Sequence, residues 1–155
     1  MSKAFTRESD EDAVAELPER EISSFINLVT PEGLAAIDAE IDRHSRLKAE
    51  ALAADDTEAA ARAARELRYW TARRNTAQVA PPPADNEQVR FGASVTIVRD
   101  DGRTNIWRIV GEDEADPARG TLSHASPLAR ALMGREVGDT VRAGATEAEI
   151  VGISV

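Results

Sequence analysis

Three consecutive prolines, Pro81 to Pro83, divide this chain into two parts that follow different hydrophobic periods. A helix cannot run through them, because proline donates no backbone hydrogen bond and its ring collides with the preceding turn. Pro81-Pro-Pro-Ala-Asp-Asn-Glu-Gln88 therefore reads as a stiff linker and a domain boundary. Before it, apolar residues recur at three and four residues; after it, they alternate. The chain is read as α+β in four parts: an acidic extension over 1–28, a helical hairpin over 29–80, the linker over 81–88 and a sheet domain over 89–155.

Thr30 is a good N-cap, Pro31 suits the first helical position, and Glu32 complements the positive end of a helix dipole. Leu34, Ile37 and Ile41, with Leu47, Ala51 and Leu52 farther on, form the stripe of an amphipathic helix to about Ala53. Asp55-Asp-Thr-Glu58 breaks that pattern and can cap a second helix, which continues through Ala60, Ala63, Ala64, Leu67 and Trp70 to about Gln78. So short a connection folds the two helices back antiparallel, and the alanines past the turn allow close approach. A coiled-coil hairpin is expected.

Beyond the prolines, Val95-Thr-Ile-Val98, an Asp100-Asp-Gly102 turn and Ile106-Trp-Arg-Ile-Val110 read as a β-hairpin. Thr121–His124 is a third strand, and Ser126 with Pro127 starts a short helix over Leu128–Met133 that Gly134 terminates. Val137-Gly-Asp139 turns into Thr140–Arg142, and Glu147–Val155 is the last strand. Trp107 belongs to the core, with one short helix beside an antiparallel sheet.

The net charge is −9, from 28 acids and 19 bases, and the excess lies in the two terminal parts: seven acids to three bases over 1–29 and twelve to eight over 81–155, against nine to eight between them. Free nucleic-acid binding is not expected of so acidic a chain, since phosphate neutralisation needs a basic surface. Without cysteine there is no disulfide framework, thiolate nucleophile or thiolate metal site. His44 and His124 stand apart and make poor metal ligands. With no membrane-length apolar run and no signal-peptide core, a cytoplasmic monomer is the expectation. Residues 1–27 are too polar to order themselves, although Phe5, Val14 and Leu17 could form a docking element, and Phe25, Ile26 and Leu28 could pack at the base of the hairpin. The acids of that segment could also lie against the arginines of the second helix and lower affinity for a partner until displaced.

Several blocks carry a family likeness. Val110-Gly-Glu-Asp-Glu-Ala-Asp116, Ser126-Pro-Leu-Ala-Arg-Ala-Leu-Met-Gly134 and Val137-Gly-Asp139, with Thr30-Pro-Glu-Gly33 and Phe91-Gly-Ala93 upstream, resemble the bacterial GreA/GreB transcript cleavage factors. The resemblance spans about Leu28 to Val155 and is strongest after Val89. It implies an FKBP-like C-terminal domain that grips the rim of the secondary channel on the largest subunit of RNA polymerase, and a hairpin inserted into that channel.

The resemblance also gives the hairpin tip a role. In the family an Asp, with Glu three residues later, helps to hold the second catalytic Mg²⁺ of the polymerase; here Asp55 and Glu58 have that spacing and Asp56 adds a third carboxylate. No cofactor is bound by the chain itself and no catalytic residue is its own. On spacing alone, the same residues read as simple N-capping. The family tip continues with Asn, Glu and Tyr, whereas this chain has Ala59, Ala61 and Arg62. Each arm also lacks about nine residues by the resemblance, roughly 13 Å of helix, which implies channel occupancy with weak or absent cleavage stimulation. Arg62, Arg65 and Arg68 would face the RNA 3′ end by resemblance, though with Arg73 and Arg74 they also read as a solvated face balanced by Asp38, Glu40 and Asp42. Glu112, Asp113, Glu114, Asp116, Ser126, Pro127 and Arg130 are the residues that would contact polymerase. A peptidyl-prolyl isomerase is the alternative from another class, with only Phe91 and Trp107 to line an aromatic pocket. A regulator of the Rnk type is disfavoured by the length of the hairpin.

Overall fold

The computed structural model describes residues 17–155; the proposed docking residues Phe5 and Val14 lie outside them. By contacts the chain divides into two units, one holding the chain up to Ser24 with Ala35–Thr76, the other Phe25–Leu34 with Ala77–Val155. The linker prolines thus fall within the second unit.

The first unit is the helical hairpin. Helix α1 spans Pro31–Ala53 and α2 spans Thr57–Thr76. Ile37, His44 and Ala51 are buried on α1, with Ile41 and Lys48 half-buried between them. This four-three alternation is the seam of a coiled coil. It runs through His44 and Lys48, whereas Leu47 and Leu52 are exposed: the apolar pattern placed the stripe slightly off its true line. His44 enters the seam because its Nδ1 lies 2.8 Å from the Glu40 carbonyl oxygen, which satisfies the ring locally. On α2 the buried positions are Ala60, Ala63 and Arg73, with Leu67 and Trp70 half-buried.

The second unit is built on a five-stranded sheet in the order β5-β4-β3-β7-β6, formed by β3 (Ser94–Arg99), β4 (Thr104–Val110), β5 (Thr121–Ser123), β6 (Thr140–Ala143) and β7 (Thr146–Ser154). Val95 and Ile97 of β3, Ile109 of β4 and Ile150 of β7 are fully buried. Ala129 and Leu132 of helix α3 (Pro127–Leu132) close this core. The sheet is mixed, not wholly antiparallel: β5 pairs parallel with β4. Parallel neighbours need a crossover, and residues 111–120 supply it through a 3₁₀ turn over Pro117–Arg119. In β7 the pairing to β3 jumps between Thr96 and Ile97, from Gly152 to Ile150, leaving Val151 as an extra residue. That bulge breaks the period of two and lets Ala148, Ile150 and Ile153 all face inward.

Two short strands, β1 (Leu28–Val29) and β2 (Gln78–Val79), pair in parallel. The Gln78 and Ala80 amides donate to the Asn27 and Val29 carbonyls at 2.8 and 2.9 Å. The second helix accordingly stops at Thr76, short of Gln78. Leu28 and Ala80 pack against the sheet core. No helix among the described residues is long and apolar enough to cross a membrane.

Candidate functional site

The tip between α1 and α2 is a helix stop followed at once by a helix start. The Asp55 amide donates to the Leu52 carbonyl at 3.2 Å, and the Asp56 amide to the Ala51 carbonyl at 2.9 Å. This is the Schellman pattern, and it requires a left-handed residue at the position Asp55 fills, with φ 54°. Asp56 then caps α2: its Oδ1 accepts from the Ala59 amide at 3.1 Å. The capping role thus belongs to Asp56, and the Asp55 carboxylate is exposed with no donor among the described residues. Glu58 is exposed one turn on, 3.8 Å from Arg62. Removing the cap with Asp56→Ala is expected to lower stability by about 1 kcal/mol, read as a fall in the melting temperature of the helical signal.

Carboxylate oxygens suit Mg²⁺, which takes one or two protein ligands and keeps its waters. Among the described residues no group of three or more His, Asp or Glu side chains is arranged to hold a metal ion. Two tip acids can contribute to a shared ion but do not form a cage of their own.

The arginines of α2 do not make one uniform face. Arg73 is only 2% exposed, so it does not belong to the solvated set. Arg74 pairs with Asp38 at 2.8 Å, as the charge-balanced reading expects. Arg65 is half-buried and lies 3.9 Å from Glu66. Arg68 is held by Glu19 at 2.6 Å, which also keeps the Glu19 carboxyl below its ordinary value of 4.5.

In the second unit, the surface-contact residues separate by role. Glu114 turns inward. Its carboxylate accepts from the Thr30 amide at 2.9 Å, from the Thr30 hydroxyl, and from the Gly111 amide at 3.0 Å. Thr30 is 2% exposed, and its hydroxyl in turn accepts from the Gly33 amide at 3.0 Å as the N-cap of α1. A Cβ at Gly33 would overlap the Glu114 side chain, and one at Gly111 would lie 2.5 Å from the Leu28 carbonyl oxygen. Glu114 is thus a structural staple, a role its place in an acidic loop does not announce. The glycine within the first turn of α1 was the available signal, since glycine there is costly unless something approaches closely. Asp116 caps the 3₁₀ turn through Ala118 at 3.2 Å, and Ser126 caps α3 through Ala129 at 3.3 Å. Pro127 and Arg130 are exposed, and the Arg130 guanidinium stands 5.6 Å from the Phe25 ring. Glu112 and Asp113 are half-buried, each with a partner.

Residues 84–154 match the family described as Transcription elongation factor, GreA/GreB, C-term. GreA of Alkalilimnicola ehrlichii is 50% identical over 86 residues, 51% of this chain and 54% of that protein. GreA of Ruegeria pomeroyi is 35% identical over 132 residues, 73% of this chain and 85% of that protein. The chain belongs to the GreA/GreB family. Its match spans about half the length of GreA of A. ehrlichii, 54%, and about a third of GreA of a Bradyrhizobium species, 35%. The crystal structure of GreA factor homolog 1 (Gfh1) of Thermus thermophilus aligns over 84% of this chain and all of that one, at 19% identity and TM-score 0.42. The isomerase alternative gains no support: the matched family is one of transcription factors. Phe91 is buried in the sheet core, where it meets the His124 ring edge-on, and Trp107 packs against that core.

Proposed function

We propose that this Gre-family chain acts on RNA polymerase as a secondary-channel factor. In this reading the hairpin enters the channel while the 89–155 domain holds the rim on the largest subunit. The observation that supports it best is the hairpin itself, two antiparallel helices of 23 and 20 residues that present an exposed tip at Asp55 to Glu58. The chain brings no catalytic residue of its own and alters elongation and initiation by occupying the channel. Its arms are shorter than the family's by about nine residues on the resemblance, some 13 Å. Coordination demands approach to about 2 Å, so cleavage stimulation is weak or absent. Glu112, Asp113, Asp116, Pro127 and Arg130 are the docking residues of this reading. Glu114 and Ser126 act from within, holding the 110–116 loop and α3 in place. Arg62, Arg65 and Arg68 face the RNA.

A full transcript cleavage factor is the second reading. It is favoured by the division of labour at the tip: Asp56 takes the cap, so Asp55 is left for a metal ion shared with polymerase and Glu58. Purified core polymerase in backtracked complexes separates the two. The expected result is association with core and slower nucleotide addition, with RNA cleavage raised less than about tenfold, equivalent to about 1.4 kcal/mol of barrier. Rapid factor-dependent cleavage would overturn the first reading in favour of the second. Failure to associate with core would end both.

A further inference from the structure

The residues just before Phe25 make contacts that the function proposed above does not use. Residues 17–24 form neither helix nor strand, yet they are tied to α2 by two consecutive side chains. Both carboxylate oxygens of Glu19 accept from Arg68 Nε at 3.0 Å, and one also accepts from Arg68 Nη2 at 2.6 Å. Arg20 donates to Glu66 at 2.7 Å, and its guanidinium stands 3.7 Å from the Tyr69 ring centroid and 5.7 Å from the Trp70 ring. A guanidinium beside aromatic rings is the combination that binds single-stranded nucleic acid, through phosphate contact and base stacking. The N-terminal segment imitates both partners. A carboxylate sits where a phosphate would bind Arg68, and a planar cation covers the ring on which a base would stack.

We propose that residues 17–24 are an intrachain cover over the Arg68–Tyr69 face of α2, which single-stranded RNA must displace to reach that face. The inference rests on the polymerase reading only for where the RNA is met. Glu66 to Tyr69 lie nine to twelve residues into α2, roughly 13–18 Å along the helix from its start. The cover therefore leaves Asp55 and Glu58 open while it sleeves the shaft. Both contacts are solvent-exposed, and exposed ion pairs are weak and screened by salt. A strand bearing several phosphates outcompetes a single carboxylate, so the cover filters out weak anions and yields to RNA.

The test uses the full chain carrying Glu19→Arg with Arg20→Glu. This exchange opposes like charges at both contacts and keeps the net charge at −9. Tyr69 is the only tyrosine, so its ring resonances report the cover without ambiguity. They are expected to move away from their wild-type positions, and affinity for a labelled oligouridylate at low salt is expected to rise about fivefold or more. Adding Arg68→Ala to the exchanged chain should cancel the gain. Unchanged Tyr69 signals, or moved signals with unchanged RNA affinity, overturn the proposal. So does a gain confined to core polymerase, which would make the covered face a protein-binding one. If neither protein binds core while the RNA gain appears, the cover stands and the polymerase reading fails.

Discussion

Replacing Glu114 with alanine is expected to destabilise the sheet unit by about 3 kcal/mol. The mutation removes one acceptor from three donors, and the most buried of them, on Thr30, cannot turn to water. Hydrogen bonds to a charged group contribute about 1.5–3 kcal/mol each but do not add within one network, which sets the total. Gly33→Ala should cost nearly as much by a different route. Its methyl group has to expel the same carboxylate from the same donors. The two changes together should therefore cost much less than their sum in denaturant unfolding. Strict additivity would show that Glu114 is not the residue through which the Gly33 methyl acts.

Asp55→Gly is expected to do two opposite things. Glycine adopts the left-handed conformation without the Cβ penalty, so stability should rise by about 1 kcal/mol, a few degrees in melting temperature. The hairpin and its affinity for core polymerase should be preserved, since Asp56 keeps the cap. Any factor-dependent RNA cleavage should fall to the level seen without the factor. Asp55→Asn, which tolerates the same backbone, should leave stability near that of the wild type and lose cleavage equally. Retention of cleavage in the glycine variant would remove Asp55 from the account of the tip. Loss of polymerase affinity would mean that the carboxylate serves docking instead.

The helical hairpin was legible because its signals are local. Thr30-Pro31-Glu32 starts α1, the Asp55–Glu58 run interrupts the pattern, and Ala60 and Ala63 mark the close approach. The exact seam was less legible, since His44 and Lys48 occupy seam positions that a hydrophobicity count skips. His44 qualifies because the Glu40 carbonyl one turn away, with the Glu40 carboxylate beside it at 3.4 Å, satisfies its ring. In the sheet, β3, β4 and the first half of β7 announce themselves by alternation, which the extra residue Val151 then breaks. The direction of β5 does not, because three residues carry no pattern that distinguishes parallel from antiparallel pairing. The β1–β2 pair was missed for the same reason. At the site, the tip acids, the α2 arginines and the leaning of the acidic N-terminal segment on those arginines are legible, but the individual partners are not. Whether Asp55 or Asp56 caps depends on one dihedral angle, and whether Arg68 is covered depends on a glutamate far back in the chain. Glu114 was assigned to the outside because its neighbours Glu112, Asp113 and Asp116 look alike in sequence. Only its distant partner, Thr30, tells it apart.

That partnership joins residues 84 positions apart, and this separation bears on how the chain assembles. The hairpin closes through neighbouring segments and can form while the later residues are still being synthesised. The threonine that begins its first helix must wait for the loop after the fourth strand before its amide and hydroxyl find an acceptor. A nascent chain ending before Glu114 would hold paired helices with a loose first turn, and Thr30 would gain its acceptor only once the 110–116 loop is made.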